Sequence, residues 1–309
     1  YFYIFGGKDE RSQDLIQGIT LAGVFFDEVA LMPESFVNQA TGRCSVEGSK
    51  FWFNCNPDGP YHWFKLNWID KKEEKNILYL HFTMDDNLSL SEKIKNRYKS
   101  MYSGVFFKRY ILGLWVVAEG IIYSMFDKEK HVCDATEFSY KEYYISCDYG
   151  TQNATVFGLW GKTTDGKHVL IKEYYYSGRD KGIQKTDTQY ADDLEKFIGD
   201  YKVKRIIVDP SAASFIAELR KRGYRVQKAK NDVLDGIRLT ASFMVQDKLL
   251  IDEDCVETLK EIASYSWDSD SSKAGEDKPV KEYDHSMDQM RYYFFTVVGN
   301  RKVRINNSR

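Results

Sequence analysis

The order of apolar and polar positions in the first 118 residues predicts short buried strands alternating with helices. An apolar run at 22–29 ends in two acids, and a second run at 50–53 leads into a dense turn sequence. Short continuous apolar runs are typical of strands in a parallel sheet, because such strands are buried on both faces. A third strand is predicted at 78–83, with helices at 33–41 and 89–103.

The pattern changes after residue 140, where three strands precede a set of helices. The Asp165-Gly166 pair between the second and third strands predicts a tight hairpin, so these strands should be antiparallel. A buried strand follows at 205–208, and the polar segment 265–283 is predicted to be a loop or an exposed hairpin. The other predicted elements are strands at 143–147, 155–160 and 169–175, and helices at 184–200, 212–222, 233–246, 254–264 and 286–298.

Residues 119–140 have no clear periodicity and separate the two patterns. We therefore predict two α/β domains, at 1–118 and 141–309, joined by a linker at 119–140. The chain begins Tyr-Phe-Tyr-Ile-Phe-Gly-Gly, which is typical of a strand in the middle of a domain, and we expect further sequence upstream.

Composition and charge exclude several classes of protein. Of the 309 residues, 43% are hydrophobic and 29% are charged, which is unlike a disordered chain. No apolar run reaches the roughly 18 residues of a membrane span, so we expect no membrane partner. The five cysteines include no Cys-x-x-Cys pair, which argues against a zinc site or a disulfide framework. The net charge is −2, so any contact with nucleic acid must be local.

Three aspartates hold comparable positions in the second pattern. Asp148 ends the first strand, Asp209 ends the strand after the first helix, and Asp288 lies in the first turn of the last helix. If the first and fourth strands are neighbours, Asp148 and Asp209 lie side by side, and a helix across the sheet brings Asp288 to them. Bare carboxylates repel each other, so we expect a divalent cation to neutralise them, with Mg²⁺ or Mn²⁺ preferred by hard oxygen ligands.

Each aspartate taken alone has a structural explanation as well. Aspartate is common after strands and at helix N-termini, where it forms turns and caps. The ordered set is harder to explain structurally, because it is the layout of a ribonuclease-H-like nuclease. His285 comes one turn before Asp288 on the same helix face, and it could be a proton shuttle, an accessory ligand or only a helix N-terminal residue.

The first half contains a strand of the Walker B form, Val24-Phe25-Phe26-Asp27-Glu28. In that chemistry the first acid, Asp27, holds Mg²⁺, and its neighbour, Glu28, polarises the water that attacks the γ-phosphate. The phosphate-binding sequence G-x-x-x-x-G-K-[ST] is not present in this chain. A strand that simply ends in a solvated turn would have the same sequence.

Together these stretches resemble the large terminase subunit of tailed bacteriophages, a DNA-packaging motor with an ATPase half and a nuclease half. The resemblance rests on residues 23–32, on residues 51–60, which stand at the place of the family's coupling motif, and on the acidic set that ends at 285–288. It implies the C-terminal part of a P-loop ATPase-like parallel sheet, followed by a ribonuclease-H-like nuclease domain with a mixed sheet.

The resemblance also implies the roles of individual residues. Asp148 and Asp209 would bridge two Mg²⁺ or Mn²⁺ ions, Asp288 would complete the nuclease set, and Asn54 and Asn56 would belong to the coupling motif. The family's Walker A loop is absent from this chain, so we expect ATP with Mg²⁺ to bind only if the upstream region is supplied.

The implied substrate is concatemeric double-stranded DNA, cut with little sequence preference during packaging. Arg220, Lys221, Arg222 and Arg225 follow the helix after Asp209 and could bind phosphates, although cations also favour a helix C-terminus. The implied protein partners are the portal protein and the small terminase subunit. The implied location is the cytoplasm of a host bacterium carrying the phage or prophage, outside the mature virion.

Two other functions fit the same residues. One is another ribonuclease-H-like enzyme, such as a junction resolvase or transposase, which would have no use for the Asp27-Glu28 strand. The other is a non-catalytic packaging or assembly remnant, in which the three aspartates would not converge and no metal would bind.

Overall fold

The computed structural model describes residues 1–150 and 153–299, and the chain divides into two compact units. Unit 1 comprises residues 1–95, 105–118 and 269–277, and unit 2 comprises residues 96–104, 119–268 and 278–309. The strands are β1 (Gly23–Phe26), β2 (Lys50–Phe53), β3 (Val132–Cys133), β4 (Tyr140–Asp148), β5 (Ala154–Thr163), β6 (His168–Ser177), β7 (Val203–Val208), β8 (Val226–Lys228) and β9 (Leu249–Asp252).

The helices follow the predicted order closely in the second half of the chain. Short 3-10 or π helices cover Glu10–Ile16, Val29–Leu31, Lys65–Ile69, Met84–Asp86, Ala135–Glu137 and Phe294–Val298. The α-helices are α1 (Glu34–Gly42), α2 (Glu92–Lys99), α3 (Gly104–Tyr110), α4 (Lys128–His131), α5 (Gly178–Lys181), α6 (Asp187–Ile198), α7 (Ala213–Lys221), α8 (Val233–Val245), α9 (Val256–Ser264), α10 (Ser269–Lys273) and α11 (His285–Tyr293).

Unit 1 is built on the parallel pair β1 and β2. Their register pairs Phe26 with Phe53, whose rings stack 5.1 Å apart, and α1 covers the pair with Phe36 and Val37 in the buried core. The strand predicted at 78–83 is wrong, because this segment pairs with no strand among the described residues. The apolar side chains that predicted it, Leu78, Leu80 and Phe82, are exposed.

The polar segment 265–283 is neither a simple loop nor an exposed hairpin. Residues 269–277 include α10 and belong to unit 1, where the Asp277 carboxylate pairs with the buried guanidinium of Arg109. Arg109 also lies 2.8 Å from the Asp58 carboxylate and donates to the Val116 carbonyl. A buried cation held by two carboxylates therefore fixes a distant piece of sequence in unit 1.

Unit 2 contains a seven-stranded mixed sheet with the order β3-β9-β6-β5-β4-β7-β8. The predicted antiparallel run of three strands is confirmed, and β4 pairs in parallel with β7 on its other side. The first and fourth strands of this pattern are therefore neighbours, which is the condition under which the sequence places Asp148 beside Asp209. The short strands β8 and β9, of three and four residues, were not predicted.

Helix α11 packs across the centre of this sheet. Its Gln289 side chain accepts hydrogen bonds from Ser146 on β4 and from the Trp160 indole on β5. The backbone of β5 comes this close because residue 158 is glycine: a Cβ there would lie 2.3 Å from the Gln289 amide oxygen. The predicted final helix is thus confirmed and is held in register against β4 and β5.

Among the residues that the structure describes, no helix has the length and apolar character needed to cross a membrane.

Candidate functional site

The carboxyl ends of β4 and β7 bring two of the predicted acids side by side. The register pairs Cys147 with Val208, and the backbone N–H of Asp209 donates to the Cys147 carbonyl at 3.2 Å. Asp148 and Asp209 therefore leave neighbouring parallel strands at the same level. This is the edge of a parallel pair at which side chains of successive strands converge.

Asp148 is paired with a residue from α11. The ring nitrogen Nδ1 of His285 lies 2.9 Å from Oδ2 of Asp148. Burial, together with the nearby carboxylates of Asp288 and Asp209, raises the pKa of Asp148 to about 6, although His285 works against this increase. Burial by itself lowers the pKa of His285, but the hydrogen bond to Asp148 and the surrounding acids outweigh it, so that pKa is raised.

Asp288 is held between two cations. Its Oδ1 accepts from Nη2 and Nε of Arg291 at 2.8 and 3.1 Å, and its Oδ2 lies 3.3 Å from the ammonium of Lys281. Burial lowers the pKa of Lys281 and of Arg291, but the charge of Asp288 raises it. The pKa of each cation is raised as a result. The aliphatic part of the Arg291 side chain packs against Gly236 on α8. A Cβ at residue 236 would lie 2.3 Å from Cγ of Arg291, so only glycine leaves room for it.

Asp209 has neutral partners. Its Oδ1 accepts the backbone N–H of Ser211 at 2.8 Å, and its Oδ2 accepts the phenol of Tyr292 at 3.0 Å. Burial, together with the charges of Asp288, Asp148 and Asp209, raises the pKa of that phenol, so Tyr292 stays protonated and donates. Tyr292, which follows Arg291 on α11, therefore contacts Asp209 at the end of β7.

The three predicted acids lie close enough for the charges of Asp209 and Asp288 to affect the pKa of Asp148. Each of the three also has a hydrogen-bond partner in the folded chain. Asp148 and Asp288 line a pocket whose wall also includes Lys281, Asp284 and His285, while Asp209 is not part of its lining. Residues 151 and 152 lie outside the described part of the chain. Lys281 and Arg291 supply positive charge that we expected to come only from a metal ion, and His285 adds to it when it is protonated.

The donor chemistry fits a hard divalent cation, because the acids offer carboxylate oxygens. Burial and the two other aspartates favour protonation of Asp148, which is an electrostatic deficit that a cation would relieve. Over residues 1–150 and 153–299, no group of three or more His, Cys, Asp or Glu side chains is already arranged to hold an ion. At most part of a coordination shell is therefore in place.

Glu261, a buried acid on α9, was not among the predicted site residues. Its Oε2 accepts the backbone N–H groups of Ser286 at 2.7 Å and Met287 at 3.4 Å, in the first turn of α11. The N-cap residue of that helix, Asp284, makes no side-chain cap of its own. Glu261 thus caps the helix that carries His285 and Asp288. A cap supplied from another helix has no local sequence signature.

The acids predicted at the end of β1 meet the predicted coupling stretch in unit 1. Nδ2 of Asn54 donates to the Asp27 carboxylate at 2.9 Å, and Oδ1 of Asn54 accepts the backbone N–H of Glu28 at 2.7 Å. Nδ2 of Asn56 lies 3.4 Å from the Glu28 carboxylate. Glu28 has φ 57° and ψ 49°, a left-handed conformation that is costly for a side chain with a Cβ. Asn54 holds this strained turn in place.

The four predicted DNA-binding cations do not all line one cleft. Arg222 is engaged by the carboxylates of Glu218, Asp192 and Glu195. Arg220 and Arg225 line a shallow cleft beside β8, and Lys221 is not part of its lining. The sequence alone did not reveal that acids on α6 and α7 would pair with one of the four.

Comparisons with known proteins bear on both halves of the chain. Residues 2–130 match the family described as terminase large subunit, T4likevirus-type, N-terminal. The terminase large subunit of Escherichia phage T5 is 25% identical over 290 residues, which cover 89% of this chain. The chain spans 65% of the length of that relative.

The chain is also similar to solved structures of the large terminase from a thermophilic bacteriophage. One crystal form is 62% identical with a TM-score of 0.92, covering 96% of this chain and 74% of the phage protein. The same phage protein in complex with ADP is 61% identical with a TM-score of 0.91, with the same coverage of both chains.

Proposed function

The chain belongs to the large terminase subunits of phages, and from this premise we propose that unit 2 is a metal-dependent endonuclease that cuts concatemeric double-stranded DNA during genome packaging. The observation that carries the proposal is the meeting of Asp148, Asp209 and the α11 residues at the carboxyl ends of β4 and β7. The ribonuclease-H-like assignment of the mixed sheet belongs to the same proposal.

Asp148, Asp209 and Asp288 would hold the ions, as hard carboxylate oxygens suited to Mg²⁺ or Mn²⁺. When bound, a pair of such ions polarises the scissile phosphate and stabilises both the attacking and the leaving oxygen. Because Lys281 and Arg291 now share the Asp288 carboxylate, loading requires at least one of its oxygens to exchange partners. Lys281 is exposed and lines the pocket, so it is the cation that can move.

The remaining residues orient groups and handle protons. His285 shares a hydrogen bond with Asp148 and lines the pocket, so it can hold a proton next to the reacting phosphate. Tyr292 fixes Asp209 by donating its phenol proton, and Arg291 fixes Asp288 from the side of α8. Lys281, freed from Asp288, would lie beside an incoming phosphate.

Unit 1 supplies part of a nucleotide-hydrolysing site under the same proposal. Asp27 would hold Mg²⁺, and Glu28 would orient the attacking water. Asn54 contacts both residues, so it would transmit a change in their position to the stretch that follows β2. The thermophilic phage relative has been solved with ADP, which supports nucleotide binding in this family. The portal protein, the small terminase subunit and the host cytoplasm complete the proposed setting.

Plasmid nicking tests the nuclease proposal. The full chain with Mn²⁺ or Mg²⁺ should convert supercoiled plasmid to nicked and linear forms, and EDTA should stop the reaction. Asp148→Asn and Asp209→Asn should each lower the rate by at least about 10²-fold, because the reacting phosphate loses its electrostatic stabilisation. Asp165→Asn, on the hairpin between β5 and β6, is the matched control and should cut at the wild-type rate.

Equal rates for the aspartate variants and the wild type would exclude the assigned site. A strong preference for four-way junctions over linear duplex would instead favour a resolvase-type enzyme. Calorimetry with Mn²⁺ addresses the non-catalytic alternative, since a remnant would bind no metal at these residues.

A further inference from the structure

A cleft runs along β8, the edge strand of the seven-stranded sheet. Its cationic side chains come from three elements: Arg205 from β7, Arg220 from the end of α7, and Arg225 and Lys228 from β8 and the residue before it. All four of these side chains are exposed, and the rest of the lining is Tyr224, Val226 and Gln227. The cleft therefore contains no acidic residue.

These four cations have no carboxylate partner among the described residues. Arg205 donates to the Gln227 amide oxygen at 2.9 Å, and Arg220 lies 3.4 Å from the Val226 carbonyl. Arg222, at the end of the same helix as Arg220, shows the contrast, because three carboxylates surround it. Like charges gathered without a counter-charge repel each other, and a bound anion removes that repulsion.

The cations of the cleft run along β8 towards the level of Asp209. Lys228 pairs with Val208 in the parallel register of β7 and β8, and Asp209 is the next residue after Val208. Arg225 lies at the opposite end of β8, about 10 Å away at the usual rise of a strand. The cations thus form a row that ends one residue from the level of Asp209, and a row of this length spans several phosphates of one DNA strand.

We infer that this cleft binds the phosphate backbone of the duplex that unit 2 cuts, with Arg205, Arg220, Arg225 and Lys228 as its contacts. The inference rests on the proposed function for the identity of the ligand. Charged side chains also protect an open sheet edge against pairing with other chains. Edge protection requires a charge on the edge strand itself, whereas two of these four cations come from β7 and α7 and line the same cleft.

The test measures binding without cutting. The full chain carrying Asp209→Asn is titrated into a fluorescein-labelled 30-base-pair duplex in EDTA, at NaCl concentrations from 50 to 200 mM. Arg205→Gln, Arg225→Gln and the pair together are added to this background. Each lost phosphate contact should weaken binding several-fold and reduce the slope of log K against log salt by about 0.9.

Two variants serve as controls of equal charge change. Lys260→Gln removes a cation on α9 that is paired with Glu257, and Lys204→Gln removes the cation next to Arg205 on β7, which is paired with Glu142. Both should keep the salt slope of the parent protein. Melting curves establish that every variant is folded before its binding is compared.

Unchanged affinity and slope in the Arg205 and Arg225 variants would overturn the inference and leave edge protection as the role of these residues. A poly-glutamate peptide that competes with duplex only when the cleft is intact, and binds more tightly than the duplex, would overturn it in favour of an acidic protein partner. Failure of the proposed nuclease is a separate outcome: the protein without the Asp209 change would not cut plasmid, although duplex binding would still depend on the cleft.

Discussion

His285 Nδ1 and Asp148 Oδ2 lie 2.9 Å apart, although 137 positions of sequence separate the two residues. This pair joins the start of α11 to the end of β4, and it faces the pocket that Asp288 also lines. The sequence allowed His285 to be a proton shuttle, a ligand or only a helix residue, and the observed contact makes its chemistry testable.

Replacing His285 with alanine should lower the rate of plasmid cleavage by about 10²-fold, the usual contribution of a group that transfers protons. Asp148 would also lose the partner that favours its charged form. The KM for DNA should change little, because the phosphate contacts remain. His81→Ala, in unit 1, is the control and should cut normally. If His285→Ala cuts like the wild type, the residue is only part of the helix start.

The raised pKa of Glu261 should make the stability of the protein depend on pH. Burial raises its pKa from the ordinary 4.5 to about 8, so the folded protein keeps this proton where the unfolded chain has lost it. Its contribution is therefore fully present below about pH 4.5 and is lost as the pH rises towards 8. The slope contributed is at most about 1.4 kcal/mol per pH unit.

Glu261→Gln accepts the same helix N–H groups and does not titrate. Urea unfolding at pH 5, 6.5 and 8 should show the wild type losing stability relative to this variant as the pH increases. The comparison is repeated in a His285→Gln background, because the charge of Glu261 also raises the pKa of His285. Glu261→Ala removes the cap and should be about 1–2 kcal/mol less stable than Glu261→Gln at every pH. Parallel curves for the wild type and Glu261→Gln would contradict the assignment.

The coupling stretch of unit 1 makes a third prediction. Asn54→Ala removes the contacts to Asp27 and to the Glu28 N–H, which hold a residue in the left-handed region. We expect a loss of about 0.5–1.5 kcal/mol in the unfolding free energy, the usual net contribution of a hydrogen bond, because both contacts are exposed to water. Glu28→Gly in the Asn54→Ala background should recover part of it, because glycine adopts this conformation freely. A gain of stability from Asn54→Ala would refute the clamp.

The buried guanidinium of Arg109 neutralises the carboxylate of Asp277. Removing it leaves the Asp277 carboxylate buried without its cation, so Arg109→Met should destabilise the protein by about 3–5 kcal/mol. The double variant Arg109→Met with Asp277→Leu should recover stability relative to the single one, since no uncompensated charge is left at Asp277. Thermal melts of the four members of this cycle measure the coupling, and strictly additive losses would exclude it.

The sequence was sufficient where local pattern and chain order decide structure. The β4–β6 run, the pairing of β4 with β7, and the family resemblance drawn from residues 23–32, 51–60 and the acidic set are confirmed. It was insufficient where a distant partner decides. Residues 78–83 read like a strand but pair with no strand in the described part of the chain. Asp277 forms an ion pair with Arg109, and Glu261 caps a helix that begins 24 residues further on. The positive charge beside Asp288 was missed although Arg291 is three positions and Lys281 seven positions away, because the sequence does not show where these side chains point around the start of α11.

Gly236 turns an ordinarily stabilising substitution into a damaging one. Alanine usually stabilises a helix by up to about 1 kcal/mol relative to glycine. At residue 236 the new Cβ would lie 2.3 Å from the buried stem of Arg291, so the guanidinium must move away from Asp288. We therefore expect Gly236→Ala to lower the melting temperature and to slow plasmid cleavage beyond the loss that unfolding explains. Gly42→Ala is the matched control: it lies at the end of α1 with no atom within 4 Å of the added Cβ, and it should be neutral or mildly stabilising. If the two variants behave alike, the position of Arg291 does not matter to the site, and Asp288 must be held by other means.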